Sequence, residues 1–136
     1  MAYLSTWRFA RISPRKARLL SDLIRGKTAS EALTLLRFSK QRSALMVAKV
    51  LKAAIADADE KNAEVQDLYV SRSFCDAGPI IKRMQQKDRG KSYAIHKRTC
   101  HICVEVDEGA GEREEARKAK KKSRAVARGG AVEKAA

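Results

Sequence analysis

Aromatic residues, prolines and cysteines are scarce in this chain of 136 residues: aromatics make up 5%, with two prolines and three cysteines. We therefore expect a small core built mainly from aliphatic side chains. No segment approaches the roughly 20 consecutive apolar residues of a transmembrane helix, which argues against membrane insertion. The N-terminal residues also lack the apolar run of a secretory signal. We expect a chain that stays inside the cell, with reduced thiols rather than disulfides.

The usual motifs of catalysis are also missing. The sequence has no glycine-rich phosphate loop, no GxSxG nucleophile motif and no paired-carboxylate arrangement. The one possible nucleophile–base pair is Cys103 with His101, which would share a face of a strand. Because nothing else supports a reactive site there, the sequence predicts neither an enzyme nor a cofactor.

Two of the three cysteines fall in the segment KRTCHICVEV, residues 97–106. Its alternating pattern predicts a strand in which Cys100 faces the same way as Ile102 and Val104, whereas Cys103 faces the opposite way. A zinc chelate needs a turn that brings such cysteines together, and further ligands to complete it. We therefore predict no metal site and interpret Cys100 as a small core residue.

Basic residues, in contrast, are abundant and unevenly spread. The chain has 30 Lys and Arg against 16 Asp and Glu, a formal net charge of +14. Such an excess points to a polyanionic partner, most often a nucleic acid. Within residues 80–101, seven basic side chains accompany the single acidic residue Asp88, and they are Lys82, Arg83, Lys87, Arg89, Lys91, Lys97 and Arg98.

The helical part of the sequence lies between residues 13 and 60. A first helix is predicted from Ser13 as N-cap and Pro14 as first residue to Gly26, with Ala17, Leu20, Leu23 and Ile24 buried. A second helix opens on the capping box Thr28–Glu31, with Ala32, Leu33 and Leu36 inward. Ser39 is predicted to cap a third helix over about residues 40–60, whose buried stripe is Ala44, Val47, Ala48, Leu51, Ile55 and Ala58.

Three strands are predicted around these helices. In the first, Tyr3–Ala10, the aromatic residues Tyr3, Trp7 and Phe9 should share a face. The second, after Asn62, should place Leu68, Val70 and Phe74 on one face, and the third covers roughly 92–106. Lys87–Gly90 is predicted to form a hairpin tip, with arms of about ten residues, or ~35 Å, running back to Gly78. These arms should project past the body of the domain.

These elements predict an α+β fold: a small three-stranded antiparallel sheet packed on three helices, with a long protruding β-hairpin at about 78–101. Residues 1–107 would form this domain. From Asp107 onward the chain has almost no large apolar residues, and residues 108–136 are predicted to be a basic, disordered tail.

Three stretches of the sequence resemble one known family. RISPRKARLLSDLIRGKTASEAL, LKAAIADA and GPIIKRMQQKDRGKSYAIHKRTCHICVEV, which together span about residues 8–106, are similar to the bacterial-type large-subunit ribosomal protein twenty-two. The resemblance implies a monomer within the cytoplasmic or an organellar ribosome. It would bind large-subunit ribosomal RNA and neighbouring ribosomal proteins, support assembly, and help line the nascent-peptide tunnel with its hairpin.

The resemblance also implies which residues carry the function. Those expected to bind RNA are Arg11, Ser13, Arg15, Lys16, Arg18, Lys82, Arg83, Lys87, Arg89, Lys91, Lys97, Arg98, Thr99 and His101, with Pro14, Gly78 and Pro79 in the same matching motifs. The tip expected to face the tunnel and the nascent peptide comprises Met84, Gln85, Gln86, Lys87, Asp88, Arg89 and Gly90. His101 is expected to bond either RNA or backbone. The tip departs from the family pattern in its two glutamines and its aspartate.

Two other classes fit the composition. Architectural DNA-binding proteins also use basic β-arms, although they usually dimerise. A peripheral membrane protein would carry its charge on an amphipathic helix, whereas the charge here is concentrated in the hairpin. The simplest alternative is a charged hairpin that is exposed to solvent and binds no partner.

Overall fold

The computed structural model describes residues 2–109. Along the chain the elements are β1 (Tyr3–Ala10), α1 (Pro14–Ile24), α2 (Ala29–Phe38), α3 (Arg42–Glu60), β2 (Leu68–Gln86) and β3 (Ser92–Glu108), with short 3₁₀ turns at Val65–Asp67 and Asp88–Gly90. The strands form one antiparallel sheet in the order β1-β3-β2. The α+β fold predicted from the sequence is thereby confirmed, whereas the predicted tail lies outside the described residues.

Helix α1 begins and ends as its sequence predicts. Pro14 is its first residue, Ser13 is the N-cap, and Gly26 just beyond the end has a φ of 74°. Its buried stripe is Ala17, Leu20, Ser21 and Ile24. The prediction that Leu23 is buried was wrong: its side chain is 45% exposed, because Leu23, although three residues after Leu20, lies at the edge of that stripe.

The connection between α2 and α3 differs from the prediction. The backbone N–H of Glu31 donates to the hydroxyl of Thr28 at 3.3 Å, so Thr28 caps α2 as expected. Ser39, however, ends α2 rather than starting α3, since its own N–H donates to the carbonyl of Leu35 at 3.2 Å. Helix α3 starts at Arg42 with Gln41 as its N-cap.

The predicted stripes of α2 and α3 are otherwise confirmed. The residues at 0–3% exposure are Ala32, Leu36, Ala44, Val47, Leu51 and Ala58. Leu33, Ala48 and Ile55 are partly buried and pack against the same core. The alanines of α3 allow the helix to lie close to the sheet.

Two irregularities in the sheet overturn predicted strand faces. A register shift between Trp7 and Ala10 accompanies a φ of 57° at Phe9, and the Phe9 side chain is 54% exposed rather than aligned with Tyr3. A second shift between Val70 and Arg72 leaves Phe74 40% exposed. Each bulge adds a residue to one strand, which turns the following side chains to the opposite face.

Strand β3 is the middle strand, and one of its faces is part of the core. Cys100, Ile102, Val104 and Val106 are all 0% exposed. Cys100 therefore shares the inner face with three aliphatic residues, as predicted, and Cys103 stands on the opposite face, where its sulfur accepts a hydrogen bond from the Thr6 hydroxyl at 3.5 Å.

Beyond the body, β2 and β3 continue as a two-stranded ribbon. We use "ribbon" for the paired segments Ile80–Gln86 and Ser92–Arg98 with the turn that joins them. The paired segments extend for about 20 Å at ~3.4 Å per residue. Three residues, Asp88–Gly90, form the turn between Lys87 and Lys91, where the N–H of Lys87 donates to the carbonyl of Lys91 at 2.8 Å. Arg89 and Gly90 have positive φ values of 56° and 71°, as tight hairpin turns require. The predicted tip is therefore confirmed.

Candidate nucleic-acid interface

A bulge marks the point where the ribbon leaves the body. Gly78 and Pro79 of β2 stand opposite the single residue Thr99 of β3, because the register shifts between Ala77 and Ile80. The hydroxyl of Thr99 donates to the carbonyl of Pro79 at 2.7 Å. Thr99 is only 5% exposed, so its side chain supports the base of the ribbon from inside.

A basic cleft of about 390 Å³ lies beside this bulge. We call it the basal cleft, and its lining residues are Arg11, Ile12, Ser13, Lys16, Arg42, Ile81, Lys97, Arg98 and Thr99. Three separate parts of the chain meet here: the turn into α1, the start of α3 and the root of the ribbon. The fold thus brings together Arg11, Lys16, Lys97 and Arg98 of the predicted RNA-binding set.

Arg42 is the basic residue of the cleft that sequence reasoning missed. It is the first residue of α3 and is exposed. The motifs used for prediction lie elsewhere, and nothing in the order of the sequence shows that α3 starts beside the ribbon. One signal was available: a basic residue at the start of a helix is unfavourable for the helix, which indicates a role outside the helix.

Two helix N-termini add to the positive potential of the cleft. Neither Ser13 of α1 nor Gln41 of α3 makes a side-chain capping hydrogen bond, and neither helix has an acidic residue in its first turn. The hydroxyl of Ser43 donates to the carbonyl of Lys16 at 3.4 Å and ties the two helix starts together. The positive end of a helix dipole favours anions, so the cleft suits phosphate groups.

The remaining predicted residues of α1 lie outside the cleft lining. Arg15 is exposed. Arg18 is exposed as well, but its Nε donates to the carbonyl of Cys75 at 2.9 Å. Arg25 similarly donates to the carbonyl of Ser73 at 2.6 Å. These arginines satisfy carbonyl groups along the outer edge of β2, so part of their hydrogen-bonding capacity holds the helix to the sheet.

Both faces of the ribbon carry cations beside apolar groups. Cross-strand partners share a face, so the pairing gives one face with Ile80, Lys82, Met84, Ala94, His96 and Arg98, and another with Ile81, Arg83, Tyr93, Ile95 and Lys97. All of these side chains are exposed except the half-buried Ile81. Near the tip, where Arg89 and Lys91 are also exposed, Lys87 Nζ lies 4.9 Å from the ring centroid of Tyr93.

His101 contacts backbone within the protein. Its Nδ1 accepts a hydrogen bond from the N–H of Phe9 at 3.1 Å, and the two rings meet edge to face at 4.9 Å. The bond requires a lone pair on Nδ1, so a neutral His101 carries its proton on Nε2. His101 therefore holds the bulge of β1 against β3. The sequence left two roles open for His101, a bond to RNA or to backbone, and the structure shows the bond to backbone.

Burial lowers the reactivity of Cys75 and Cys100. Burial raises the pKa of the Cys100 thiol to about 11, and burial also raises the pKa of Cys75, whose sulfur lies 3.0 Å from the Ser21 hydroxyl. Such thiols are poor nucleophiles at neutral pH. Within residues 2–109, no group of His, Cys, Asp or Glu side chains is arranged to hold a metal ion.

Comparison with known proteins identifies the family. The model of the family "Ribosomal protein L22p/L17e" matches residues 5–107. The chain belongs to this family. Bacterial members named large ribosomal subunit protein uL22 are 47% identical over 97 residues in Geobacter metallireducens, 48% over 97 in Geobacter sulfurreducens and 40% over 104 in Clostridium novyi. These alignments cover 71%, 71% and 76% of this chain and 88%, 87% and 94% of the relatives.

Membership of the L22p/L17e family has three consequences. The chain is a structural constituent of the large ribosomal subunit and not an enzyme. The bacterial type of the relatives makes the cytoplasmic ribosome its location. Family membership also decides against the architectural DNA-binding and membrane-surface alternatives. Among residues 2–109, no helix is long and apolar enough to cross a membrane.

Proposed function

We propose that the basal cleft and the ribbon form one continuous surface that binds large-subunit ribosomal RNA and supports its assembly. The observation that carries this proposal is the convergence of Arg11, Lys16, Arg42, Lys97 and Arg98 with two uncapped helix N-termini around one cleft. Within residues 2–109, no acidic side chain forms an ion pair with any of these five cations. Their charge is available to phosphates.

The ribbon extends this surface away from the body. An isolated two-stranded ribbon is only marginally stable in water, and this one also concentrates seven cations within residues 80–101. Surrounding RNA would remove both problems, because each phosphate contact neutralises charge and releases counterions. The apolar groups on both faces, such as Met84 at 77% exposure, can pack against sugars and bases.

We further propose that the tip of the ribbon helps line the nascent-peptide tunnel. The tip comprises residues 84–90, all of them exposed. Two observations support this proposal: the ribbon projects by about 20 Å, and the chain is similar to uL22 proteins. In this arrangement the body, residues 1–107 with the hairpin, acts as a monomer among neighbouring ribosomal proteins.

The salt dependence of RNA binding tests this proposal. The test variant changes Lys82, Arg83, Lys97 and Arg98 to Gln, and the matched control changes Lys118, Lys120, Lys121 and Lys122 to Gln. Each phosphate contact contributes ~0.7–0.9 to the slope of log affinity against log salt. We expect the slope for large-subunit ribosomal RNA to become shallower by roughly 3 to 4 in the test variant.

The control removes the same charge outside the proposed surface, so its slope should change much less. Exposed charge substitutions typically change the free energy of unfolding by only about 0.5 kcal/mol each, and circular dichroism verifies that both variants fold. Equal weakening and equal slopes in the two variants would mean diffuse electrostatic binding, and the proposed surface would be wrong.

A further inference from the structure

A small pocket lies next to the basal cleft, between α3 and β1. Its lining residues are Trp7, Arg42, Leu45, Met46 and Lys49, and its volume is about 160 Å³. The α3 residues follow the spacing i, i+3, i+4, i+7, which places them on one face of the helix. Trp7 lies against that face from β1. We call this site the Trp7 pocket.

The Trp7 pocket combines an apolar lining with a cationic rim. Leu45 is 71% exposed and Trp7 is half-buried, so an aliphatic and an aromatic surface both remain open to a ligand. Lys49 Nζ lies 5.8 Å from the centroid of the Trp7 ring. Within residues 2–109, neither Arg42 nor Lys49 has an acidic partner. A ligand that matches this pocket is flat and apolar in one part and negatively charged in another.

The location of the Trp7 pocket further restricts the class of ligand that it can bind. Arg42 lines both the Trp7 pocket and the basal cleft, so a chain of phosphates lying in the cleft passes directly beside the pocket. A nucleotide has the required parts: a flat base that stacks on aromatic side chains and a phosphate that pairs with Arg or Lys. An apolar protein segment would fill the pocket but would leave both rim cations unpaired.

We propose that the Trp7 pocket binds one unpaired nucleotide of RNA, with its base against Trp7 and Leu45 and its phosphate beside Arg42 and Lys49. This inference rests on the proposed RNA-binding function and adds a specific recognition element to it. The basal cleft contacts phosphates of any sequence, whereas a base-binding pocket requires a nucleotide that is free of pairing. The pocket would therefore set where along the RNA the body docks.

The single tryptophan of the chain makes this testable with the full-length protein. An oligouridylate and an abasic ribose-phosphate oligomer of equal length are titrated separately while Trp7 emission is recorded. We expect the oligouridylate to quench the emission and to bind more tightly, because only it carries a base that can stack. The abasic oligomer should bind through phosphates and leave the emission nearly unchanged.

Two variants then locate the base contact. Trp7→Ala should weaken oligouridylate binding about 5- to 140-fold, the range expected for loss of one stacked base, without affecting the abasic oligomer. Since Trp7 is partly buried and its loss can disturb folding, Leu45→Ser provides a second test at an exposed position and should lower oligouridylate affinity in the same selective way. Leu19→Ser, at a residue 62% exposed on α1, is the matched control and should change neither affinity.

Each outcome separates the two proposals. Equal binding of both oligomers with unchanged emission would refute nucleotide binding by the Trp7 pocket, and a neighbouring protein would then be the better candidate for its ligand. The proposed phosphate-binding surface would not be affected by this result. If neither oligomer bound with salt-sensitive affinity, the proposed function itself would fail, and the pocket with it.

Discussion

Gly78, at the root of the ribbon, offers a direct test of how rigidly the ribbon is mounted. Gly78 has no positive φ, so space rather than backbone conformation requires a glycine there. A Cβ atom at this position would lie 2.5 Å from Thr99 Oγ1 and 3.3 Å from His101 Nε2. The Thr99 hydroxyl is the atom that must move, and it donates to the Pro79 carbonyl at 2.7 Å. Gly78→Ala should therefore break the hydrogen bond that closes the bulge.

The expected cost follows from two terms. Leaving the buried hydroxyl without its partner costs about 1–3 kcal/mol, and crowding at a packed position adds about 1–3 kcal/mol. Thr99→Ala alone removes one hydrogen bond, at about 1 kcal/mol. In the double variant the nearest atom is already gone and the remaining contacts start at 3.3 Å. The double variant should thus be at least about 1 kcal/mol more stable than the sum of the single changes predicts.

Thermal and urea unfolding of the full-length chain, followed by circular dichroism, measures this coupling. Each kcal/mol should lower Tm by about 4–8 °C for a domain of this size. The reasoning would be refuted if the changes in free energy of unfolding were strictly additive, or if the Gly78→Ala variant had the same Tm as the wild type. Either result would mean that the bulge deforms freely and does not fix the direction of the ribbon.

Two further predictions concern the body. Deleting residues 83–91 removes no buried residue, so the truncated chain should still unfold cooperatively and should bind ribosomal RNA more weakly than the full chain; loss of the cooperative transition would contradict this. Burial raises the pKa of Cys100 from 9.0 to about 11, so the folded state holds the thiol proton more tightly than the unfolded state does. The difference in free energy of unfolding between the wild type and Cys100→Ala should therefore be constant below pH 9 and fall as the pH rises toward 11. A difference that does not change with pH would contradict a raised pKa of the buried Cys100 thiol.

The sequence predicted those parts of the fold that local chemistry determines. Pro14 and Gly26 set the ends of α1, and Thr28 sets the start of α2, whereas Ser13 occupies the N-cap position of α1 without the side-chain hydrogen bond expected of a cap. The alternation around Cys100 correctly gave the inner face of β3, because this central strand keeps a regular pleat over residues 100–106.

The errors have a common physical origin in irregular backbone. Phe9 lies within a bulge and Phe74 follows one, and a bulge changes the face of side chains without changing the pattern of residue types. Ser39 was assigned to the wrong helix because a serine can serve either end of a short connection between helices. In each case tertiary packing decided between conformations that the local sequence allows.

The candidate site was predictable only in part. Arg11, Lys16, Lys97 and Arg98 came from two motifs of the family resemblance, whereas their convergence on one cleft with Arg42 depends on how α1, α3 and the ribbon pack. Thr99 was expected to contact RNA, yet its hydroxyl bonds Pro79 inside the bulge. Residue type alone does not distinguish a polar side chain that meets a ligand from one that supports the backbone beneath it.

The most direct test of RNA binding by the basal cleft and ribbon is a cryo-electron microscopy map of the large ribosomal subunit that contains this chain. We predict RNA phosphates within hydrogen-bonding distance of Lys16, Arg42 and Arg98, and RNA along both faces of the ribbon. A map in which the basal cleft faces solvent or another protein, with RNA bound elsewhere on the body, would contradict the proposed surface.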